Sequence, residues 1–328
     1  MPKKVAVVIL NYNGSPLLEQ YLPSVCAFSD LANLYVIDNA STDKSLQFLK
    51  ENYPEINLIC LDENYGYAGG YNLGLKDLRE DYFCLLNSDI RVTANWLEPI
   101  LELFAQDETI AAIQPKILDD KKPAYFEYAG AAGGFIDAFG VPYCRGRLFD
   151  KIEKDEGQYN DSKEIFWASG ACLFLRKEAF QNVDGFDASF FAHQEEIDLC
   201  WRLKNNNYKV YYQGKSTVYH LGGATLNDSS PHKTFLNFRN SLFMLNKNLP
   251  TTVRYRRLFG RLCIDGLIGI KFLLSGHVHH FISILKAHFA FYKVFFKLKK
   301  RTASKNDYFH KYSIIWSYYF KGYKTFKD

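Results

Sequence analysis

Long apolar segments are scarce in this chain of 328 residues. Within residues 251–328, the longest stretch without Asp, Glu, Lys or Arg is 272–285. It is too short for a membrane-spanning helix and is typical of a helix that lies at a membrane surface or packs on a partner. A signal peptide is also missing from the pattern, because residues 1–4 lead directly into a strand. We therefore expect a cytoplasmic protein.

Paired cysteine motifs are lacking as well. The seven cysteines are scattered, and none forms a CxxC pair. Most of them lie in apolar segments, which is typical of reduced core thiols and argues against disulfides and zinc sites. Internal repeats and low-complexity linkers are also absent from the sequence. A chain of this length can bury a large core, either as one α/β domain or as a catalytic domain with an appendage.

Acidic residues are rare in the C-terminal region. Residues 231–328 contain 19 Lys and Arg but only 3 Asp and Glu, a net charge of +16 that leaves −12 for residues 1–230 of a chain at +4. This shift predicts a catalytic domain over 1–230 and a basic, aromatic, helical region over 231–328. Such a region needs an anionic partner. We expect an anionic membrane surface and no nucleic acid, with a homodimer through this region as the alternative.

Strand and helix patterns alternate through the first domain. The apolar runs predict strands at 4–11, 33–38, 56–61, 82–87, 110–118 and 164–175. Between and after them, helices are expected at 16–25, at 45–53, from about residue 71, and at 235–246, and the segment 130–160 is expected to be a loop or lid. This alternation with short links predicts an α/β fold with a parallel, doubly wound sheet. Ligand-binding groups should gather at the carboxyl ends of its strands.

The tripeptide Asn87, Ser88 and Asp89 ends the fourth of these strands. A carboxylate here can hold a divalent ion that bridges the two phosphates of a nucleotide diphosphate, and Mg²⁺ and Mn²⁺ favour such ligands. His220 ends a later strand and could be a second metal ligand through its neutral imidazole. The alternatives are a polar turn for the tripeptide and a structural role for the histidine.

Two further features lie at predicted strand ends. Asp38 can accept a hydrogen bond from a nucleotide base or a ribose hydroxyl, or it can cap the following helix. The segment 64–70 (NYGYAGG) is typical of a loop that cradles phosphate or sugar, because Gly69 and Gly70 allow close backbone approach. Alternatively, it is a loop that needs positive φ. It lacks the Gly-Lys-Ser/Thr ending of a phosphate-binding loop.

An acidic cluster begins a predicted helix near residue 195. Glu195, Glu196 and Asp198 fall within four residues, where the helix dipole stabilises carboxylates and mutual repulsion raises the pKa of at least one. A carboxylate with a raised pKa is a suitable general base for a sugar hydroxyl. The alternative is the charged first turn of a solvated helix. Trp167, beside small residues, can stack on a sugar face or can be a buried strand residue.

Seven motifs resemble, in order and spacing, the glycosyltransferases of family 2, especially their bacterial rhamnosyltransferase-like branch. They are VVILNYNG (7–14), VIDNASTD (36–43), NYGYAGGYNLG (64–74), LLNSD (85–89), WASGA (167–171), GFDASFFAHQEEIDLCWR (185–202) and YHLGG (219–223). The resemblance covers about residues 4–225. It implies a GT-A-type α/β fold, a nucleotide-sugar donor and a metal-dependent, inverting transfer.

The resemblance also implies roles for individual residues. Asp38 would meet the base, Asn11 would line the nucleotide site, and Asn64 and the glycines after it would lie by the donor. Asp89 would be the last residue of a D-x-D-like motif, in which Asn87 replaces the first acid. His220 would be the second metal ligand.

The base of the reaction would be the second acid of a Glu-Asp-type pair. That position is Glu196 here, one methylene longer than the usual aspartate, so Glu195 stays an alternative for the base.

The expected function is transfer of a hexose from dTDP-rhamnose or a UDP-hexose to a glycan or polyprenyl-diphosphate-linked acceptor in cell-surface polysaccharide synthesis. The cofactor would be Mg²⁺ or Mn²⁺. The basic region would hold the protein at the inner face of the plasma membrane. The alternatives are a sugar-phosphate nucleotidyltransferase, which would need a basic residue in the turn at 11–14, and a non-catalytic nucleotide-sugar-binding module, which leaves the acidic cluster unexplained.

Overall fold

A computed structural model describes residues 4–222, 230–298 and 313–326. The described strands are, in chain order, β1 (Val5–Asn11), β2 (Ala32–Asp38), β3 (Asn57–Cys60), β4 (Tyr82–Leu86), β5 (Ile90–Val92), β6 (Ile110–Asp119), β7 (Gly134–Ile136), β8 (Pro142–Cys144), β9 (Arg147–Leu148), β10 (Lys151–Ile152), β11 (Ser162–Glu164), β12 (Cys172–Arg176) and β13 (Lys209–His220). The described helices are α1 (Ser15–Phe28), α2 (Ser45–Asn52), α3 (Gly66–Gly74), α4 (Glu98–Gln106), α5 (Lys177–Asn182), a 3₁₀ turn (Ala188–Phe190), α6 (Glu195–Asn205), α7 (Pro231–Asn248), α8 (Thr251–Leu274), α9 (Val278–Val294) and α10 (Ile314–Tyr319).

The central sheet has the strand order β11-β13-β6-β12-β4-β1-β2-β3, with β5 paired to β13. Strands β3, β2, β1 and β4 are parallel neighbours, as their alternation with helices predicts. Strand β12 lies antiparallel between β4 and β6, so the sheet becomes mixed beyond β4. Strand β1, inside this parallel part, is rich in β-branched residues and buried on both faces, which fits helices on both sides of the sheet.

Strand β1 shows how the sheet separates two cores. Ala6 and Val8 belong to the cluster under α3, whereas Val7 and Ile9 belong to the cluster under α1. Successive side chains of a strand point to opposite faces, so each core receives every second residue. In the pairing of β1 with β2, Asn11 lies beside Asp38, so two predicted site residues meet at the carboxyl edge of the sheet.

Helix α3 begins at Gly66, five residues before the expected start near residue 71. A Cβ on Gly70 would lie 2.8 Å from a Leu10 methyl carbon, and one on Gly74 would lie 2.1 Å from Ile37. These glycines therefore let the helix pack closely on β1 and β2. A Cβ on Gly69 would lie 2.9 Å from the Cβ of Tyr65, so this glycine relieves crowding within the helix.

Two local predictions were wrong. The segment 130–160 is not only a loop, since it contains a four-stranded antiparallel sheet, β10-β9-β8-β7. Its strands have two or three residues, too few to show alternation in the sequence. The strand expected over 164–175 is interrupted: β11 ends at Glu164, β12 begins at Cys172, and the residues between them leave the central sheet to form a turn beside the site.

The described part of the C-terminal region contains the helices α7, α8, α9 and α10. The helix predicted at 235–246 is α7, whose Leu242, Met244 and Leu245 are buried in the same core as the sheet. The proposed boundary near residue 230 therefore crosses a shared core and stays a prediction. The stretch 272–285 was expected to be one helix, but it spans the end of α8, a turn at 275–277 and the first half of α9, because Gly276 at φ +77° interrupts the helix. None of the described helices is long and apolar enough to cross a membrane.

Candidate functional site

The edge where β1 and β2 end carries a buried polar pair. The Asn11 amide donates to Asp38 Oδ1 at 3.2 Å and lies 3.1 Å from the Ser41 hydroxyl. Asp38 Oδ2 accepts the backbone N–H of Ser41 at 3.0 Å. Asn11 Oδ1 is buried without a hydrogen-bond partner among the described residues. Since a buried acceptor is costly when unpaired, it is suited to receive a donor from a ligand.

The neighbouring loop is fixed by amide side chains. Asn39 donates to Asn64 Oδ1 at 3.0 Å, and its own oxygen accepts the N–H of Tyr65. Asn64 Oδ1 also accepts the N–H of Gly66 at 2.9 Å, which starts α3. The side chain of Asn64 is exposed beside the carboxyl edge of the sheet. Its side-chain oxygen holds the loop in place. Its role beside the nucleotide-sugar donor stays a prediction.

Asp89 and His220 are brought together by the pairing of β5 with β13. His220 lies opposite Ile90 in this pairing, and its Nε2 is 3.1 Å from Asp89 Oδ1. On the other side of the imidazole, Nδ1 is 3.3 Å from Glu127 Oε1. Burial disfavours the charged ring, but the carboxylates of Asp89 and Glu127 outweigh burial and raise the pKa of His220 to about 10.

Asp89 and the neutral form of His220 have the donor chemistry of a divalent cation site, and the raised pKa means that a cation must displace the proton from His220 Nε2. Asp89 Oδ1 is buried and forms no aligned hydrogen bond to the described residues, so it presents an acceptor beside His220 Nε2. Glu127 contacts the far nitrogen of the ring, as carboxylates do behind metal-binding histidines. The described residues contain no group of three or more His, Cys, Asp or Glu able to hold a metal. An ion here would need phosphate oxygens or water to complete its coordination.

A turn at 169–171 joins the Asp89 side of the site to the acidic cluster. The N–H of Asn87 donates to the Ala171 carbonyl at 3.0 Å. One residue earlier, the Gly170 carbonyl accepts the Tyr67 hydroxyl at 2.7 Å. A Cβ on Gly170 would lie 3.8 Å from the Cβ of Glu196. The turn therefore links the end of β4, the start of α3 and the start of α6.

Glu195 and Glu196 begin α6 in different environments. Glu195 is 5% exposed, its Oε2 has no hydrogen-bond partner among the described residues, and burial with the nearby Glu196 raises its pKa far above the ordinary range. Glu196 is half-buried, and burial raises its pKa to about 7, although backbone N–H groups of the helix start oppose the shift. A carboxylate with a pKa of about 7 can accept a proton near neutral pH, which favours Glu196 as a base, whereas burial favours the neutral form of Glu195.

The loop that leads into α6 is held in an unfavourable backbone conformation. Phe191, His193 and Gln194 have φ of 63°, 68° and 71°, values that cost side-chain-bearing residues energy and persist only under strong constraints. One constraint is α3, since the N–H of Tyr67 donates to the Phe191 carbonyl at 2.9 Å. The second is α7, from which Asn240 reaches the other side of the loop.

Asn240 is fully buried and holds three carbonyl groups of this loop. Its amide nitrogen lies 3.0 Å from the Phe190 oxygen, 2.9 Å from that of Ala192 and 2.7 Å from that of His193. Its own oxygen accepts Arg239 Nε at 2.8 Å, which fixes the orientation of the amide. Asn240 is thus a positioning residue for the start of α6.

Replacement of this amide should slow turnover without weakening donor binding. In Asn240→Asp the two N–H donors are lost and a carboxylate faces the loop carbonyls, which costs about 1–3 kcal/mol and releases the strained turn. We expect kcat to fall at least about tenfold, since misplacement of a catalytic group by about 1 Å is sufficient. Nucleotide-induced thermal shifts should stay unchanged.

Asn246→Asp is the matched control, because Asn246 is equally buried on α7 but donates to Phe295. It should lower the melting temperature and leave kcat near the wild-type value. Equal loss of kcat in both variants would show that Asn240 acts only through overall stability.

The structure changes three of the expected roles. Asp198 is completely buried and accepts Arg202 Nε at 2.8 Å and the Asn248 amide at 2.7 Å, so it joins α6 to α7 and is closed to a substrate. Trp167 is 5% exposed, donates to the Phe135 carbonyl and is covered by Gly134, so its faces cannot stack on a sugar.

The third changed role is that of Gly69 and Gly70. Both lie inside α3, where they serve helix packing instead of forming an open cradle.

Glu127, Tyr67 and Asn240 were missed by sequence reasoning. Glu127 lies between the strand predicted at 110–118 and the loop predicted at 130–160, where no element was expected and no other acid lies close in the sequence. Tyr67 lies inside the glycine-rich motif, in which no role was predicted for it. Asn240 lies in the helix predicted at 235–246, and no role was predicted for it. All three contact their partners across more than 45 residues of sequence.

Comparisons with known proteins identify the family and the fold. The model described as Glycosyl transferase family 2 matches residues 6–184, more than half of the chain. The chain is 25% identical over 248 residues to the N-acetylglucosaminyl-diphospho-decaprenol L-rhamnosyltransferase of Mycobacterium tuberculosis, a match that covers 71% of this chain and 81% of the relative. It is 22% identical over 262 residues to the dTDP-rhamnosyl transferase RfbF of Shigella flexneri, with 76% and 82% covered.

Among solved structures, a similar one is the crystal structure of GalNAc-T7 with UDP, GalNAc and Mn²⁺. The TM-score is 0.57 at 16% sequence identity, and the match covers 74% of this chain and 47% of that one. This chain thus spans about half the length of that protein. The likeness shows the fold, and it confirms the GT-A-type α/β architecture that the sequence resemblance implies.

Proposed function

Because this chain belongs to glycosyl transferase family 2, we propose that it is an inverting, metal-dependent hexosyltransferase that uses Glu196 as its base. One observation carries the proposal: a half-buried carboxylate with a pKa of about 7 lies across the 169–171 turn from a buried Asp89–His220 pair. A glycosyl transfer needs both a group that stabilises the charge of the leaving group and a base for the attacking hydroxyl. Family membership favours this reaction over nucleotidyl transfer and over ligand binding without catalysis.

On the donor side, Asn11 and Asp38 would bind the base or ribose, and Asn64, Asn87 and Ser88 would lie along the phosphates. The buried Asn11 Oδ1 supports this, because it is an acceptor in need of a donor. Asp89 and His220 would hold a Mg²⁺ or Mn²⁺ ion, with Glu127 orienting the imidazole. Such an ion, when bound, neutralises the charge that develops on the departing nucleotide diphosphate.

On the acceptor side, Glu196 would take the proton of the attacking hydroxyl. The oxygen forms its bond to the anomeric carbon as the bond from that carbon to the diphosphate breaks, so the nucleotide diphosphate leaves and the configuration inverts. A single displacement needs one base and no enzyme nucleophile. Burial favours the neutral form of Glu195, which would keep a second negative charge away from Glu196.

The relatives' names suggest the substrates. One relative acts on a diphospho-decaprenol-linked N-acetylglucosamine, and another is named for dTDP-rhamnose. We therefore favour dTDP-rhamnose over a UDP-hexose as donor, and a polyprenyl-diphosphate-linked glycan as acceptor in polysaccharide synthesis. Such an acceptor lies in a membrane, and the basic C-terminal region would hold the protein at its cytoplasmic face. Dimerisation through that region is the alternative.

Thermal shifts with nucleotide diphosphates test the donor site directly. dTDP is expected to raise the melting temperature more than GDP does, and more in Mn²⁺ than in EDTA, because ligands that bind only the folded state stabilise it. Transfer from dTDP-rhamnose and UDP-hexoses to a lipid-linked acceptor should then identify the sugar. A protein stabilised by none of these nucleotides in either condition would not be a nucleotide-sugar-dependent enzyme.

A further inference from the structure

The hairpin of α8 and α9 exposes an unusual amount of apolar surface. Twelve large apolar side chains of the two helices and the residues just after them are exposed: Tyr255, Phe259, Leu267, Ile270, Leu273, Leu274, Val278, Ile282, Leu285, Phe289, Tyr292 and Phe296. Leu274, at the hairpin turn, is 82% exposed. Along α9 the exposed residues recur every three or four positions, which places them on one face of the helix, and an exposed apolar face of this kind marks an interaction site.

The charges around this surface are of one sign. Residues 251–298 contain a single acid, Asp265, which is fully buried and contacts Arg261 Nε at 2.7 Å and His288 Nε2 at 3.3 Å. The exposed charged side chains of the described hairpin are therefore all positive, namely Arg256, Lys271, Lys286, Lys293 and Lys297. Such a surface complements anionic lipid headgroups, and its apolar residues suit the layer beneath them.

Aromatic residues of α10 extend this surface. Lys271 Nζ lies 5.8 Å from the centre of the Tyr319 ring, which brings α10 close to the hairpin turn. Trp316, Tyr319 and Phe320 are 54%, 57% and 70% exposed. Trp and Tyr favour the boundary between lipid and water, because their rings are apolar and their polar atoms remain hydrated.

We propose that the α8–α9 hairpin, with α10 beside it, is a docking surface that inserts apolar side chains into an anionic phospholipid bilayer. The hairpin is connected to the site through α7: Thr234 of α7 contacts His280 of α9 at 2.7 Å, and Phe243 packs on Phe291. Asn240 of the same helix contacts the loop that leads into α6. Docking would thus fix the orientation of the site relative to the bilayer. The role in orienting the active site rests on the proposed function, whereas binding to the bilayer does not.

Vesicle flotation of the full chain tests the proposal without any substrate. The wild type should float with vesicles of phosphatidylglycerol and phosphatidylcholine, and much less with phosphatidylcholine alone. Leu267→Ser/Leu274→Ser should lower partitioning at least about tenfold, since each leucine contributes apolar burial in the bilayer. Lys271→Glu/Lys286→Glu should weaken binding to the anionic vesicles only. Both pairs are exposed, so folding should be retained.

Phe28→Ser/Leu31→Ser is the matched control, because these residues are 44% exposed on the body of the protein. It should float like the wild type. The proposal is overturned if the wild type ignores anionic vesicles, or if the leucine variant floats equally well. It is also overturned if light scattering shows a wild-type dimer that the leucine variant dissociates while vesicle binding is unchanged. Vesicle binding without transfer from any nucleotide sugar would refute the proposed function and leave this surface standing.

Discussion

Glu196→Gln is expected to lower the transfer rate by about 10²–10⁴-fold, the usual contribution of a general base. Glutamine has the same shape but cannot accept the proton of the attacking hydroxyl. Donor binding should be unchanged, because the residues proposed for the nucleotide and the ion lie on β1, β2 and β13 and in the segments just before α3 and β5, apart from α6. The measurements are kcat for transfer and the thermal shift produced by the nucleotide diphosphate. Near-normal turnover in this variant would remove Glu196 from the mechanism.

The pH dependence of the wild type provides a second measurement of the same role. Burial raises the pKa of Glu196 to about 7, and the base acts in its ionised form. We therefore expect kcat/KM to increase as the pH rises through about 7 and to be lost below it. In Glu196→Gln the residual activity should not show this transition. A profile that is flat between pH 5 and 9 would contradict the assignment.

Glu195→Gln is the matched control for both measurements. Glu195 is buried, and burial with the nearby Glu196 raises its pKa well above the ordinary value, which favours the neutral carboxyl group that glutamine imitates. We expect this variant to retain most of its activity. If Glu195→Gln instead loses transfer while Glu196→Gln retains it, the base is the first acid of the pair, and the half-buried second acid has another role.

Asp89→Asn is expected to have the other large effect. The variant loses the anionic ligand beside His220, so the divalent ion should bind weakly and the leaving diphosphate should lose its charge stabilisation. Transfer should fall by about 10²–10³-fold, as when a single stabilising group is removed from a developing oxyanion. The stabilisation of the protein by nucleotide diphosphate should no longer depend on Mn²⁺. Unchanged Mn²⁺ dependence would show that Asp89 is not a metal ligand.

Glu127→Gln should have a smaller effect of the same kind. Its carboxylate contacts His220 Nδ1, behind the proposed ligand atom. Removal of such a group typically weakens metal binding about 10–100-fold. The concentration of Mn²⁺ for half-maximal activity should therefore increase, with less effect on kcat at saturating metal. Asp62→Asn, at an exposed acid whose carboxylate accepts the Tyr65 hydroxyl, should change neither quantity.

The sequence by itself determined the parallel part of the sheet and the polar residues at its carboxyl edge. Buried strands are apolar over five to seven residues, and each ends at a polar residue, so Asn11, Asp38 and Asp89 could be placed from local pattern alone. The acidic start of α6 was visible for the same reason. Parallel neighbours end at one edge, which explains why residues distant in sequence were expected at one site.

Only the tertiary structure decided which of these residues are open to a ligand. Glu196 and Asp198 are both acids in the first turn of α6. Arg202 and the packing of α7 close the carboxylate of Asp198 to ligands, whereas Glu196 stays half-buried. The burial of Trp167 under Gly134 and the contact of Glu127 with His220 likewise depend on segments far apart in the chain. Burial and pairing set pKa values and access, and both come from long-range contacts that local periodicity does not contain.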